Sequence, residues 1–233
     1  MPAASTGRLV AAALVLIGAI LLAAAIFTPW YSLDSTRGEV GTPSNPYNNG
    51  TYNATYYLGL PSANGTIWYS CSGDGFKCPS QTSYSSAGQN NTGIVAVISF
   101  GLLVAGCAFG AISGVLGILF RRNSTWAFPV IVFAVIALVL AIAAPGIFAA
   151  SLPGAFSKDS PKGPCGGSAP GPWSSFYGST STNCGFGLIS FSYSWGPLIG
   201  WYLSLVAFAI LVVGVILLLL YRRNPPRPAP SPS

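Results

Sequence analysis

Few side chains in this chain can do covalent or metal chemistry: five cysteines, four carboxylates and no histidine among 233 residues. Cys71 and Cys78 share one polar segment, Cys165 and Cys184 share a later one, and Cys107 lies within an apolar run. Paired cysteines facing an oxidising compartment read as disulfides. Pairing within each segment is the expectation, among the three connectivities that four cysteines permit. Zinc is the rival reading, and a Cys71-x6-Cys78 spacing without histidine suits it poorly. General acid–base work needs converging titratable groups. Asp34 and Glu39 are near each other in sequence, yet nothing supplies a nucleophile beside them, and the glycine runs carry no phosphate-loop lysine. The expectation is therefore a non-enzymatic chain with no cofactor and no metal.

The elements that must position these cysteines are dominated by four stretches, Leu9–Phe27, Ile94–Phe120, Phe128–Phe148 and Leu198–Leu220, which contain no charged residue. A helix rises about 1.5 Å per residue and a bilayer core is about 30 Å thick, so each stretch is long enough to span. None carries the polar face that a helix on a soluble core needs. The predicted fold class is an all-α membrane protein: a four-transmembrane-helix bundle with a small disulfide-stapled, β-containing extracellular module. The expected boundaries are a cytoplasmic N-tail 1–8, spans at 9–29, 93–120, 126–150 and 195–221, extracellular loops 30–92 and 151–194, a cytoplasmic turn 121–125, and a Pro-rich cytoplasmic tail 222–233. The first apolar run exceeds the usual 7–15 residues of a signal-peptide core, so it is read as a retained helix.

Charge sets the orientation. With the N-terminus inside, one side receives Arg8, Arg121, Arg122, Arg222, Arg223 and Arg227 without any acid, while the four acids and the remaining basic residues face the other. This is the positive-inside pattern, and the net charge of +6 is a topology signal. No basic patch sits on a soluble surface, so nucleic acid is not an expected partner. The expected location is the plasma membrane with both termini cytoplasmic, and the lipid bilayer is the first partner.

Both loops exceed plain connectors in length, so recognition is assigned to them or to the bilayer. Loop one alternates aromatic and polar residues around Tyr52–Leu60 and Thr66–Ser70, which predicts short antiparallel strands. Loop two is a looser run of Gly, Pro and Ser. Loop one also holds the N-glycosylation sequons at Asn49, Asn53, Asn64 and Asn90. Within the second span Gly106, Gly110 and Gly114 recur every four residues, a stripe that lets helix backbones approach closely, either inside the bundle or between copies. Pro145 predicts a kink or an end near the close of the third span. Trp30, Tyr31, Trp126, Trp195, Trp201, Tyr202 and Tyr221 flank span ends, where amphipathic rings settle at headgroups. Arg222-x-x-Pro225-x-x-Pro228 has the form of an SH3 ligand, with basic stop residues and a disordered tail as the plainer reading.

One combination carries a resemblance. Trp30 follows the first span, and Gly65-Thr66-Ile67-Trp68-Tyr69-Ser70-Cys71 with Cys78 follows in the same loop. Together with topology and loop order, this resembles the claudin and peripheral-myelin-protein superfamily of tetraspan proteins, whose first loop has a Gly-Leu-Trp-x-x-Cys element and a second Cys. The resemblance implies that Cys71 and Cys78 staple adjacent strands of a small extracellular sheet. It also implies that Trp68, with Trp30, anchors that sheet on the helices and is largely buried. The chain departs from the family in its shorter cysteine spacing, its displaced Gly, the added pair in loop two, and Gln89, Asn90 and Asn91 where a basic residue is expected. The functional expectation is a structural, adhesive or membrane-organising protein that forms homo-oligomers or contacts other membrane proteins. The alternative is an auxiliary subunit of a channel, transporter or membrane enzyme complex.

Overall fold

The computed structural model describes residues 3–39, 50–58, 65–73, 80–120, 125–159, 174–184 and 189–223. In chain order the elements are α1 (Ala3–Phe27), β1 (Tyr31–Glu39), β2 (Gly50–Tyr57), β3 (Thr66–Gly73), β4 (Gln81–Ser83), α2 (Asn90–Leu119), α3 (Ala127–Asp159), β5 (Gly178–Cys184), β6 (Ile189–Pro197) and α4 (Ile199–Arg223). All four helices are long and apolar enough to cross a membrane, with mean hydropathies of 3.0, 2.4, 2.9 and 3.2. The chain divides into two compact units.

The first unit comprises Met1–Ala24, Leu102–Ala143 and Leu203–Ser233. It is held by close contacts between small residues. A Cβ placed on Gly110 would stand 3.0 Å from the Ala19 Cβ, and one on Gly114 would stand 2.9 Å from the Leu16 Cβ and 3.2 Å from the Ala12 carbonyl. One on Gly106 would meet Leu140 at 3.3 Å and Leu22 at 3.4 Å. The glycine stripe of α2 is thus turned toward α1 and α3 of the same chain. Across α1, Gly18 receives Leu211 and Gly214 receives Val15, which brings α4 equally close. Van der Waals contact is what holds helices together in lipid, and it rises as backbones approach. Among the few polar atoms, the buried Ser113 hydroxyl donates to the Val130 carbonyl at 2.8 Å. Gly114→Ala is expected to destabilise the helical unit by about 1–3 kcal/mol through overpacking. Gly101→Ala, where a Cβ would meet nothing within 4 Å, is the matched control. Thermal denaturation in detergent checks this, and equal stability of the two variants would refute the α1–α2 contact.

The second unit comprises Ala25–Gly101 and Ala144–Tyr202. Its centre is a six-stranded sheet of order β4-β3-β2-β1-β6-β5, antiparallel at every pairing. Loop one therefore supplies four strands and loop two supplies two. Side chains alternate across a strand, and the two faces differ sharply. On one face Tyr31, Ala54, Tyr56, Ile67 and Trp195 are buried. Their rings join Phe148, Phe156 and Phe176 in a continuous aromatic core, with Tyr31–Phe156 at 5.9 Å, Tyr56–Phe156 at 5.4 Å and Tyr31–Phe176 at 5.6 Å. The opposite face carries mostly short polar side chains, with Tyr57 and Trp68 at one margin.

Two boundaries differ from expectation. The third helix does not stop near residue 150 but runs through Pro145 and Pro153 to Asp159, because apolar helices tolerate proline where neighbours re-satisfy the backbone. At 33 residues it measures about 50 Å, against a hydrocarbon core of about 30 Å, and its charged end, Lys158 and Asp159, lies beyond the apolar stretch Phe128–Phe148. Loop two, expected as a loose run, instead pairs β6 along the whole of β1.

Candidate functional site

The joint between α1 and β1 is made by Trp30, which is fully buried. Its indole N–H donates to the Ala25 carbonyl at 2.7 Å, capping the end of α1. Its backbone N–H donates to Tyr56 and its carbonyl accepts from Leu198, each at 2.9 Å. The ring meets Phe148 edge-on at 5.3 Å. A Cβ on Gly200 would overlap the Trp30 ring, so only glycine lets α4 begin there. Trp30 and Tyr31, expected at the lipid headgroups, are instead interior residues of this unit.

Trp68 requires a correction. It is 48% exposed, whereas its neighbour Ile67 is fully buried. Successive residues of a strand face opposite ways, so burying Ile67 on the aromatic face sends Trp68 to the polar one. There it contacts Tyr57, with ring centroids 6.1 Å apart. Of the two rings, Trp30 is the one that meets the end of α1.

A second joint was not foreseen. Asp159, at the end of α3, caps the start of α2. One carboxylate oxygen accepts from the Asn91 backbone N–H at 2.9 Å and its side-chain amide at 2.7 Å. The other accepts from the Thr92 N–H and hydroxyl, both at 2.8 Å. The first N–H groups of a helix have no partner within it, and a carboxylate there also meets the positive end of the helix dipole. Partial burial alone would raise the pKa of Asp159, but the four hydrogen bonds outweigh it and hold the group below the ordinary aspartate value. The residues concerned are 67 and 68 positions apart, and no local motif announces such a pair.

Cys71 lies on β3 and Cys184 ends β5. Cys78 and Cys165 lie outside the described residues, so the pairing is taken up below as a proposal. Cys107 is a free thiol. Of the sequons, Asn49 and Asn64 also lie outside the described residues. Asn90 is exposed at the start of α2. Asn53 lies within β2, where its amide nitrogen already donates to Asp34. The SH3-like tail and most of the turn between α2 and α3 fall outside the described residues as well. Among those described, no three His, Cys, Asp or Glu side chains converge.

The polar face of the sheet is the surface that the sequence did not bring into view. Register aligns Ser179, Ser194, Asp34, Asn53 and Ser70 in one row across five strands. The next row is Ser181, Ser192, Thr36, Thr51 and Ser72. Nine of these ten residues are neutral, and Asp34 is the single ionisable one. Thr51 and Ser72 share a hydrogen bond of 2.6 Å across β2 and β3. A groove of about 510 Å³ runs over the β1, β6 and β5 part of this face.

What the fold defines is a class: four helices able to cross a membrane, with one antiparallel sheet assembled from two loops. No protein-family model and no curated protein matches the chain.

Proposed function

We propose that this chain is a non-enzymatic integral membrane protein with a structural, adhesive or membrane-organising role. It acts through its two loops, held outside the plasma membrane with both termini in the cytoplasm. One observation carries the reading: the two loops are not separate connectors but strands of a single sheet, with β1 paired to β2 on one side and to β6 on the other. A module of this kind presents a surface on which a partner can be recognised. The basic residues on the short turn and tails support the orientation.

Cysteine pairing within each loop, Cys71 with Cys78 and Cys165 with Cys184, completes the module as proposed. Closing such loops stabilises by about 2–4 kcal/mol, largely by restricting the unfolded chain. Peptide mapping without reduction is expected to recover those two pairs, and cross-loop pairs would overturn this part. Kinship with the claudin and peripheral-myelin-protein superfamily draws support from loop order, Cys71 and Cys78, and loses support from the exposure of Trp68.

The auxiliary-subunit alternative has its own observation. A groove of about 260 Å³ beside the start of α2 is lined by Tyr84, Gly93, Ile94, Val97 and Ile98 among others, and the last three are exposed. A partner helix docking laterally would use this surface. Purification in mild detergent followed by mass spectrometry separates the two readings. A homo-oligomer alone supports the adhesive one, and a stoichiometric foreign membrane protein supports the alternative.

A further inference from the structure

We infer that the polar face of the sheet binds a neutral polysaccharide strand, which names the partner class for the adhesive reading and rests on it. Short hydroxyls and amides both donate and accept hydrogen bonds. Rows of them, spaced about 4.8 Å across strands and about 6.8 Å along each strand, complement a ligand that is itself covered in hydroxyls. The charge pattern excludes the main competitors. The two rows contain Asp34 and no basic residue, so an anionic chain meets one negative charge and no compensation. Arg37 belongs to the opposite side, 6.0 Å from the Phe191 ring centroid. An apolar partner would bury hydroxyls and a carboxylate without partners, at a cost for each.

Two exposed aromatic rings stand beside the hydroxyl rows on the same face. Trp68 continues the row through Ser32 and Thr55, and is 48% exposed. Tyr177, 73% exposed, has its Cβ 3.7 Å from where a Cβ on Gly196 would stand, and Gly196 pairs with Ser32. The rings thus flank a floor of Gly196, Ser32 and Thr55, separated by four strand intervals or about 19 Å. Large rigid rings give contact area at little conformational cost, and the flat C–H face of a pyranose is the part of a sugar that packs on a ring. Aromatic stacking at both margins with hydroxyls between suits an extended chain of several sugars. Asp34, held by the Asn53 amide, supplies a charge-assisted acceptor in the groove.

The full-length protein in detergent is passed over beads carrying dextran, mannan or galactan, with heparin beads as the anionic comparison. Retention on at least one neutral polymer is expected, competed by the same polymer in solution. It should fall at least tenfold in a Thr36→Arg/Ser192→Arg variant, whose long side chains fill the groove from exposed positions. Trp68→Ala, also at an exposed position, should weaken retention several-fold and carries the test if the double variant becomes protease-sensitive. No retention, retention on heparin alone, or neutral retention indifferent to the variants would overturn the inference. So would a double variant that changes only the oligomeric state, which would show a second copy covering the face. Failed retention with self-association intact leaves the adhesive reading standing, whereas labelling of the sheet from the cytoplasm removes both.

Discussion

Trp30→Ala is expected to loosen the sheet unit more than any other single substitution, by about 3–5 kcal/mol, the usual cost of truncating a buried tryptophan. The side chain is fully buried, so its loss leaves a cavity beside Phe148 and over Gly200. It also leaves the Ala25 carbonyl without its indole donor. The expected signature is new cleavage between Tyr31 and Thr92 by an external protease. The mirror experiment is Trp68→Ala. Because that ring is half exposed, its removal should cost well under half as much and leave the sheet protease-resistant. Equal sensitivity of the two variants would mean that Trp68 shares the anchoring role after all. Gly200→Ala provides an independent approach to the same joint, since its Cβ would displace the Trp30 ring.

Asp159→Ala is expected to cost about 2 kcal/mol, the upper end of the range for a lost helix cap. Four hydrogen bonds are removed at once, which places the effect toward that end, while partial exposure of the carboxylate limits it. The same group predicts a pH dependence. Its pKa is lower in the folded chain than the ordinary value of about 3.9. Its contribution is therefore complete above that value and lost as the pH falls through the lower folded value. Thermal stability of the wild type should drop on acidification in that window more than that of Asp159→Ala. Parallel pH profiles for the two proteins would contradict the capping role. Asp159→Asn, which keeps an acceptor oxygen but no charge, should fall between them.

How much of this was legible in the sequence depended on how local the signal was. The four spans follow from the absence of charge over 19 or more consecutive residues, a property no tertiary contact can disguise. Strands β2 and β3 were visible because aromatic and polar residues alternate along them. The same alternation exists in Ile189, Phe191, Tyr193 and Trp195 of β6, but the Gly, Pro and Ser around it masked the pattern. β5 offers only small polar residues, and becomes a strand through its pairing with β6. Assigning Trp68 to the interior overlooked a period-two conflict, since Ile67 and Trp68 cannot both face the same core. Asp159 was unreadable for a different reason. Its partners lie at the far end of another helix, and only the folded chain brings them together. The hydroxyl face combines both limits: each strand shows its serines and threonines, but the rows exist only once the register is known.

Single-cysteine labelling in a background without the native cysteines tests the central claim most directly, that four spans hold both loops on one exterior side. With an impermeant reagent on intact cells, cysteines introduced at Asn64 and Ser168 should be labelled. One at Ser124 should react only after the membrane is opened. Labelling of Ser124 from the exterior, or protection of Asn64 and Ser168, would contradict the account.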